Sequence, residues 1–476
     1  MSLPTVETTP IPGLLVVRLD LRTDARGWFK ENWQREKMVA LGLPDFGPVQ
    51  NNISFNSAKG ATRGIHTEPW DKYVSVANGR AFCAWVDMRE GESYGTVFTL
   101  EVTPDVAVFV PRGVGNSYQT LEEGVAYTYL VNEHWRPSTP YPALNLADET
   151  AAIEWPIPLD SGEVEISDKD LANPRLADAA QMAPKKTLII GALGQLGRAL
   201  AAQFPAADLV DLAEGDVDGR PVARLDLTDA AAVTAYPWSD YATVLNAAAY
   251  TAVDAAETSE GRVIAWQANA VGPAALAAVA ARHQLTLVHY SSEYVFDGSV
   301  DGEHTEDEPL SPLGVYAQSK AAGDVAVSLA PRHYILRTSW VIGEGNNFVR
   351  TMRSLAEKGI SPSVVADQVG RLTFTSELVR ATVHLLGAEA AYGVYQVSNG
   401  GPVMSWHAIA QEVFARSGRS GEDVSPTTTE DYYAAQVEAG KLISPRPLNS
   451  AMSMAKIKAT GFEPVDAMEE LDRYLA

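Results

Sequence analysis

Across the first 150 residues, apolar positions come in short runs that alternate with polar ones at the two-residue period of a β-strand. Tyr73-Val74-Ser75-Val76-Ala77 and Arg80-Ala81-Phe82-Cys83-Ala84-Trp85-Val86 flank Asn78-Gly79. That dipeptide predicts a two-residue hairpin turn, in which both central positions take positive φ. Residues 96–102 and 106–110 flank a second turn, Thr103-Pro104-Asp105, and residues 125–131 form a further strand. Within this half, a helix of any length is predicted over residues 31–41. Many short antiparallel strands imply an all-β barrel or jelly roll.

After about residue 184 the period changes. Residues 186–190 are a continuous apolar run of the buried parallel kind. A helix over 195–204 follows, then strand 242–246, helix 268–282, strand 285–290, helix 317–329 and strand 334–337. Alternating strand and helix predicts a Rossmann-type, doubly wound α/β sheet. Two domains result, 1–180 and 186–476, with the linker inside 177–185 and its centre at 181–185.

Composition narrows the partners. A net charge of -23 removes the basic face that a nucleic acid needs. Phosphate recognition must then be local, through a few basic side chains and backbone amides. No apolar run reaches the roughly 18 residues that span a bilayer. The longest, 274–281, lies between Pro273 and Arg282 and predicts a packed helix. Met1-Ser2-Leu3-Pro4-Thr5 has neither a basic nor an apolar leader segment, so a cytoplasmic location is expected. Cys83 is the single cysteine, which excludes an intramolecular disulfide and any multi-cysteine metal site. No metal is expected.

The second half carries the more explicit chemistry. Gly191, Gly194 and Gly197 fall between a strand and a helix, where a tight turn lets backbone approach a pyrophosphate. Gln195 and Leu196 open that helix. Asp211 lies 20 residues after Gly191, at the end of a second strand, where an acid can bond a ribose 2′-hydroxyl. That favours NADH, while Arg220 and Arg224 nearby keep NADPH open. Tyr316 and Lys320 are four apart and share a helix face. A neighbouring ammonium favours phenolate and so predicts a lowered Tyr316 pKa. Ser292 offers a hydroxyl to a substrate carbonyl.

These residues resemble the extended short-chain dehydrogenase/reductases, and residues 186–476 are similar to the dTDP-4-dehydrorhamnose reductase family. The similarity runs through Asn246-Ala247-Ala248-Ala249-Tyr250, Tyr290-Ser291-Ser292-Glu293-Tyr294 and Arg337-Thr338-Ser339-Trp340. Asp367-Gln368 with Gly370, and Arg446-Pro447 with Asn449-Ser450, extend it. It implies Ser292, Tyr316 and Lys320 as catalytic residues. It places Asp226, Leu227, Ala248, Ala249, Tyr250 and Tyr290 by the cofactor, and Ser292, Glu293 and Trp340 by the substrate. Ser292-Glu293 stands where the family usually has Thr-Asp, which keeps the hydroxyl and the carboxylate. The same fold also resembles the regulatory subunit of methionine adenosyltransferase, a partner-binding protein. The complete Ser292, Tyr316 and Lys320 set argues against that non-catalytic reading.

In the first half, His66 closes Arg63-Gly64-Ile65-His66, with Lys72 six residues on and Tyr129 on a later strand. With few other histidines nearby, acid/base work suits it better than metal binding. Residues 1–180 resemble the dTDP-4-dehydrorhamnose 3,5-epimerase family, a cupin-type jelly roll. The resemblance rests on Asp24-Ala25-Arg26-Gly27, Gln50-Asn51-Asn52, Arg63 to His66, Lys72, Val86-Asp87-Met88-Arg89, Tyr129 and Ser167 to Asp170. It implies His66 as base, Asp170 as its orienting partner, Tyr129 as acid and Lys72 as the enolate-stabilising cation, with no cofactor. Arg26, Glu31, Gln50, Asn52, Arg63 and Lys169 would hold a nucleotide sugar. Asn116 stands where the family has a substrate-contacting histidine, and Thr67-Glu68-Pro69-Trp70-Asp71 is shorter than the family's segment. Together the two resemblances imply 3,5-epimerisation of dTDP-4-dehydro-6-deoxy-D-glucose and then NAD(P)H-dependent reduction of its 4-keto group, giving dTDP-L-rhamnose. The alternative is another 6-deoxy-4-ketohexose, epimerised at one carbon. A homodimer through the first half is expected.

Overall fold

The computed structural model describes residues 4–135 and 141–476. Met1, Ser2 and Leu3, part of the stretch read for a leader, lie outside the described residues. The chain forms two compact units, Met1–Pro184 and Lys185–Ala476.

The first unit is built from two antiparallel sheets. The larger runs Thr5–Thr8, Leu15–Arg18, Val106–Val110, Lys72–Asn78, Val125–Val131, Gln50–Asn56. The smaller runs Thr62–His66, Val114–Thr120, Ala81–Asp87, Val97–Val102. Val74, Val76, Val108 and Tyr127 of one sheet pack on Cys83, Trp85 and Tyr118 of the other. The larger sheet's opposite face, with Tyr73 and Phe109, is covered by Met38 and Phe46. Met38 lies on the helix Arg35–Ala40, shorter than the predicted 31–41 because Gln34, in extended conformation, caps it by accepting from the Lys37 amide.

The Asn78-Gly79 hairpin is not formed. Lys72–Asn78 belongs to the larger sheet and Ala81–Asp87 to the smaller, so the turn carries the chain from one layer to the other. Gly79 has φ +83°, whereas Asn78 is not among the positive-φ residues. The Asn78 side chain instead donates to the Gly124 carbonyl and fastens the corner. Thr103-Pro104-Asp105 likewise joins strands of different sheets. Inter-sheet burial, not local turn chemistry, decides strand pairing at both places.

Strand Gln50–Asn56 inverts the usual amphipathic order. Its inward positions are polar, Gln50, Asn52, Ser54 and Asn56, while Ile53 and Phe55 are 67% and 66% exposed. One end of the space between the sheets is therefore a polar cleft rather than core.

The second unit is organised around an eight-stranded sheet, ordered Gly215–Val217, Arg220–Arg224, Asp208–Asp211, Lys186–Ile190, Tyr241–Asn246, Thr286–Ser292, His333–Thr338, Gly393–Gln396. All neighbours are parallel except the first pair, so the sheet is mixed. Alternate residues of each strand enter two separate cores, as a two-sided sheet requires. Ile189, Leu245, Val288 and Leu336 pack under Leu200, Leu378 and Leu385. Leu188, Val244, Leu287 and Ile335 pack under Leu276, Ala280 and Val327. Helices thus cover both faces. Strand order reverses between Lys186–Ile190 and Tyr241–Asn246, which opens a crevice at their carboxyl ends.

Pro273 does not bound the apolar helix. Helical structure runs through Ser259–Trp266, a π-turn Gln267–Val271 and Gly272–His283. The wider π-turn accommodates the ring and the missing N–H. This continuous helix is long and apolar enough to cross a membrane by length and composition alone, but its Leu276, Ala277 and Ala280 are spent on the sheet core. The stretch expected as a linker is docked on the first unit as far as Ala183. Met182 is buried and bridges Arg89, and the Ala183 carbonyl accepts from the Arg112 guanidinium.

Candidate functional site

His66 ends strand Thr62–His66 and lies opposite Asn116, which lies opposite Trp85. Trp85 faces the inter-sheet core, so His66 and Asn116 face the same way. The register slips between Asn116 and Tyr118, which pair with His66 and Arg63. This bulge puts His66 and Arg63 on one face although they are three apart. Gly64 sits in it at φ +117°, where an added Cβ would meet Ser117 Cβ at 2.7 Å. The glycine of Arg-Gly-Ile-His is thus a packing requirement of the bulge.

His66 Nε2 lies 2.8 Å from Asp170 Oδ1, and Asp170 Oδ2 accepts from the Gly64 amide at 3.2 Å. Asp170 is held by the short turn Asp168–Leu171, whose N-cap Ser167 accepts from the Asp170 amide. Burial pushes the Asp170 carboxyl up, but the bond and charge of His66, the Gly64 amide and Ser167 together hold it below the ordinary range. An ionised Asp170 fixes the proton on Nε2 and leaves Nδ1 as the basic nitrogen.

Across the cleft, Tyr129 aligns with Asn52 and Val74, and Val131 with Gln50 and Lys72. Lys72 is buried, paired to Glu68, and its Nζ lies 5.6 Å from the Tyr129 ring centroid. Burial, then the Glu68 charge, raises the Tyr129 phenol, so it stays protonated at neutral pH. Gln50 donates to Asn52 at 2.9 Å, and Arg63 to Asn56 at 3.2 Å. Asn116 accepts from the Tyr127 hydroxyl at 3.0 Å.

Three expected residues lie outside this group. Arg26 is 90% exposed and bound to Asp24 in the hairpin Leu21–Asp24/Gly27–Lys30. Glu31 is paired to Lys37 at 2.7 Å on the surface. Lys169 is exposed because its neighbour on the turn, Asp170, takes the inward direction. Glu68, Tyr118 and Tyr127 belong to the cleft and were not predicted. The i,i+4 spacing of Glu68 to Lys72 was their one readable signal.

In the second unit two adjoining cavities of about 630 and 430 Å³ share Gly194, Ala247 and Ala249. The larger is lined by Gly191, Asp211, Asp226, Leu227, Ala248 and Tyr250. Gly191 has φ +79°, and a Cβ there would strike the Ala248 amide at 2.5 Å. Gly197 lines neither cavity. Its missing Cβ lets helix Gln195–Gln203 close on the Gly191 carbonyl. Gly194 caps that helix without a side-chain bond, so the first-turn amides face the cavity unsatisfied by a cap. Asp211 already accepts from the Leu193 and Leu212 amides, and Asp226 from Thr228. Arg220 is turned away, bonded to the Ala201 and Phe204 carbonyls. A cavity reaching Gly191 and Gly194, cap-free amides and a carboxylate at the strand end fit a dinucleotide.

The smaller cavity holds Gln195, Leu196, Tyr290, Ser292, Glu293, Tyr316, Lys320 and Trp340. Lys320 Nζ donates to the Tyr290 carbonyl at 2.6 Å, and burial draws its ammonium down to about 8. The predicted lowering of Tyr316 is not found. Burial and then the Glu293 charge push its phenol up, against the lowering influence of the Ser292 hydroxyl, while Lys320 is engaged elsewhere. Tyr316 is thereby kept as an acid. Trp340 stacks on Trp406 at 3.8 Å between centroids. No group of three or more His, Cys, Asp or Glu that could hold a metal occurs among the described residues.

The two parts of the chain match two families. Residues 185–476 match the RmlD substrate binding domain family, and residues 8–178 match dTDP-4-dehydrorhamnose 3,5-epimerase. The chain belongs to the RmlD family and is a fusion of the two. Its first part is 44% identical over 188 residues to a protein RmlC homolog of Streptococcus pyogenes, 38% of this chain and 92% of that protein. Its second part is 37% identical over 295 residues to a dTDP-4-dehydrorhamnose reductase of Aggregatibacter actinomycetemcomitans, 59% of this chain and 95% of that protein. A Bacillus anthracis dTDP-4-dehydrorhamnose reductase, solved in complex with NADP, superposes with a TM-score of 0.52 at 29% identity, over 61% of this chain and 98% of that one.

Proposed function

We propose that the chain converts dTDP-4-dehydro-6-deoxy-D-glucose to dTDP-L-rhamnose in two steps, one in each unit. The observation that carries this reading is the co-occurrence of an Asp170–His66 pair, its aspartate buried, in the cleft with Tyr129 and Lys72, and a Ser292, Tyr316, Lys320 set in a dinucleotide crevice. The first unit reads as a cupin-type jelly roll of about residues 1–180, the second as a Rossmann-type domain from 186.

In the first unit, a ketone at sugar carbon 4 acidifies the hydrogens on carbons 3 and 5. His66 Nδ1 takes a proton on one face. Lys72 stabilises the enolate oxygen, and Tyr129 returns a proton from the other face. This step needs no cofactor. Gln50, Asn52, Arg63 and Asn116 line the polar cleft for the nucleotide sugar.

In the second unit, a bound NADH or NADPH supplies hydride to the carbonyl carbon. Gly191, Gly194, Gln195 and Leu196 would hold its pyrophosphate, with Asp211 at the ribose. Ser292 orients the carbonyl, and Tyr316 gives its proton to the oxygen. Lys320 holds Tyr290 and the cavity floor in register. Glu293 and Trp340 bound the sugar.

A homodimer through the first unit is supported by exposed Ile53 and Phe55 on edge strand Gln50–Asn56. A cytoplasmic setting fits a cofactor-dependent enzyme with its one thiol buried. A second reading rests on Asn116, whose amide is taken by Tyr127. A site without a second histidine could invert one carbon and yield another 6-deoxyhexose. Proton NMR of the product formed in deuterium oxide separates the two by the number of exchanged carbons.

A further inference from the structure

We infer that Glu293 is the proton source that recharges Tyr316, acting through the Ser292 hydroxyl. This rests on the reductase reading of the second unit and deepens it.

Ser292 ends strand Thr286–Ser292, and Glu293 begins the 3-10 turn Glu293–Val295. Ser292 Oγ lies 2.8 Å from Glu293 Oε2 and accepts from the Tyr294 amide at 3.2 Å. The same hydroxyl stands on one cavity wall with the Tyr316 phenol and acts to lower it. One small group is therefore bonded to a buried acid and shares its cavity with a buried phenol. A hydroxyl can accept one proton while giving another, so Ser292 can carry a proton from the acid to the phenol.

The groups facing Glu293 favour storing a proton there. Ser292 and Tyr294 flank it on its own turn, and Ser450 of the C-terminal segment acts to lower it. Tyr316 faces it from helix Val315–Val327. The cation beside Tyr294 is Arg446, which is paired to Asp254. Lys320, on the same cavity wall, is turned to the Tyr290 carbonyl. No cation bonds Glu293 directly among the described residues. Burial pushes its carboxyl up to about 7, with Ser292 and Ser450 pulling the other way. A carboxylic acid kept neutral in an apolar site is a ready donor near neutral pH.

The step balances. As hydride reaches the carbonyl carbon, the C=O π pair moves to oxygen, which takes the Tyr316 proton. The phenolate takes the Ser292 proton, and Ser292 takes that of Glu293, leaving a carboxylate. Solvent reprotonates the carboxylate through the cavity before the next turnover. With Glu293 protonated, the Ser292–Glu293 bond runs from the acid to the hydroxyl.

The test compares the full-length chain with Glu293→Gln and Glu293→Asp, using NADPH and the ketone substrate with a separate 3,5-epimerase in excess. The wild type is expected to lose reductase kcat as pH rises through about 7. Glu293→Gln should lose on the order of tenfold in kcat at pH 6 and show no such limb, with KM changed less. Glu293→Asp should regain a limb. Independently of turnover, infrared difference spectra of the cofactor-free protein should show a protonated carboxyl band that titrates near neutrality and disappears in Glu293→Gln. A wild-type profile flat through neutrality, or no titrating band, overturns the relay even if a variant fails to fold. So does a Glu293→Gln variant altered in KM alone, which would confine Glu293 to holding the sugar. If no ketone reduction occurs in the wild type, the reductase reading itself fails, while the infrared band still reports on Glu293.

Discussion

The two sites solve proton transfer in opposite surroundings. In the first unit the His66 side chain is 41% exposed and only its partner Asp170, at 6%, is buried. The cleft is open and polar, and it sets the basic nitrogen by one ion pair. In the second unit Ser292, Glu293, Tyr316 and Lys320 are all buried, and burial is the largest influence on the last three. An imidazole has one donor and one acceptor nitrogen, and an ion pair to the first decides which nitrogen is the base. A phenol and an ammonium offer no such choice, and a buried site that shifts them is one way to use them.

That contrast can be broken most sharply by exchanging which reaction is lost. Tyr316→Phe should lower cofactor oxidation by at least about a hundredfold and leave deuterium incorporation at carbons 3 and 5 intact. His66→Asn should do the reverse, with exchange lost by about a thousandfold. Gly64→Ala forces a Cβ against Ser117 at a positive φ, and should destabilise the first unit by on the order of 3 kcal/mol in denaturant unfolding. Asp170→Asn keeps the shape but not the charge. It should slow exchange by about tenfold to a hundredfold, leaving reduction of the epimerised ketone unchanged.

The smallest effect is on stability against pH, and its sign differs between the sites. The Asp170 carboxyl is lowered in the fold, so its contribution is present above the unfolded value near 4 and is lost as pH falls through the folded value. The Glu293 carboxyl is raised to about 7, so its contribution is present below the unfolded value and is lost as pH rises through about 7. Thermal scans of Asp170→Asn and Glu293→Gln against wild type should show the pH dependence flatten at the acid end for the first and around neutrality for the second.

Much of this was legible in the chain. Strand and helix periods located the sheet from Lys186–Ile190 to His333–Thr338, because buried parallel strands are short and continuously apolar. The Asn78-Gly79 dipeptide misled because the same turn chemistry serves a corner between two sheets. The direction of the Tyr316 shift was missed because helix spacing shows that Lys320 is near, not that its Nζ is bonded to the Tyr290 carbonyl. Tyr127 on Asn116 is a contact between strands, which no local period encodes. The position of Arg26 and Glu31 on the surface is likewise a matter of where a hairpin packs, not of its sequence.

The most direct test follows absorbance at the nicotinamide wavelength with the purified full-length chain, NADPH or NADH, and dTDP-4-dehydro-6-deoxy-D-glucose as the only sugar. Two active units on one chain predict oxidation of the cofactor and recovery of dTDP-L-rhamnose. Oxidation that begins only after an independent 3,5-epimerase is added would contradict the account, because it would leave the first unit without the reaction assigned to His66 and Tyr129.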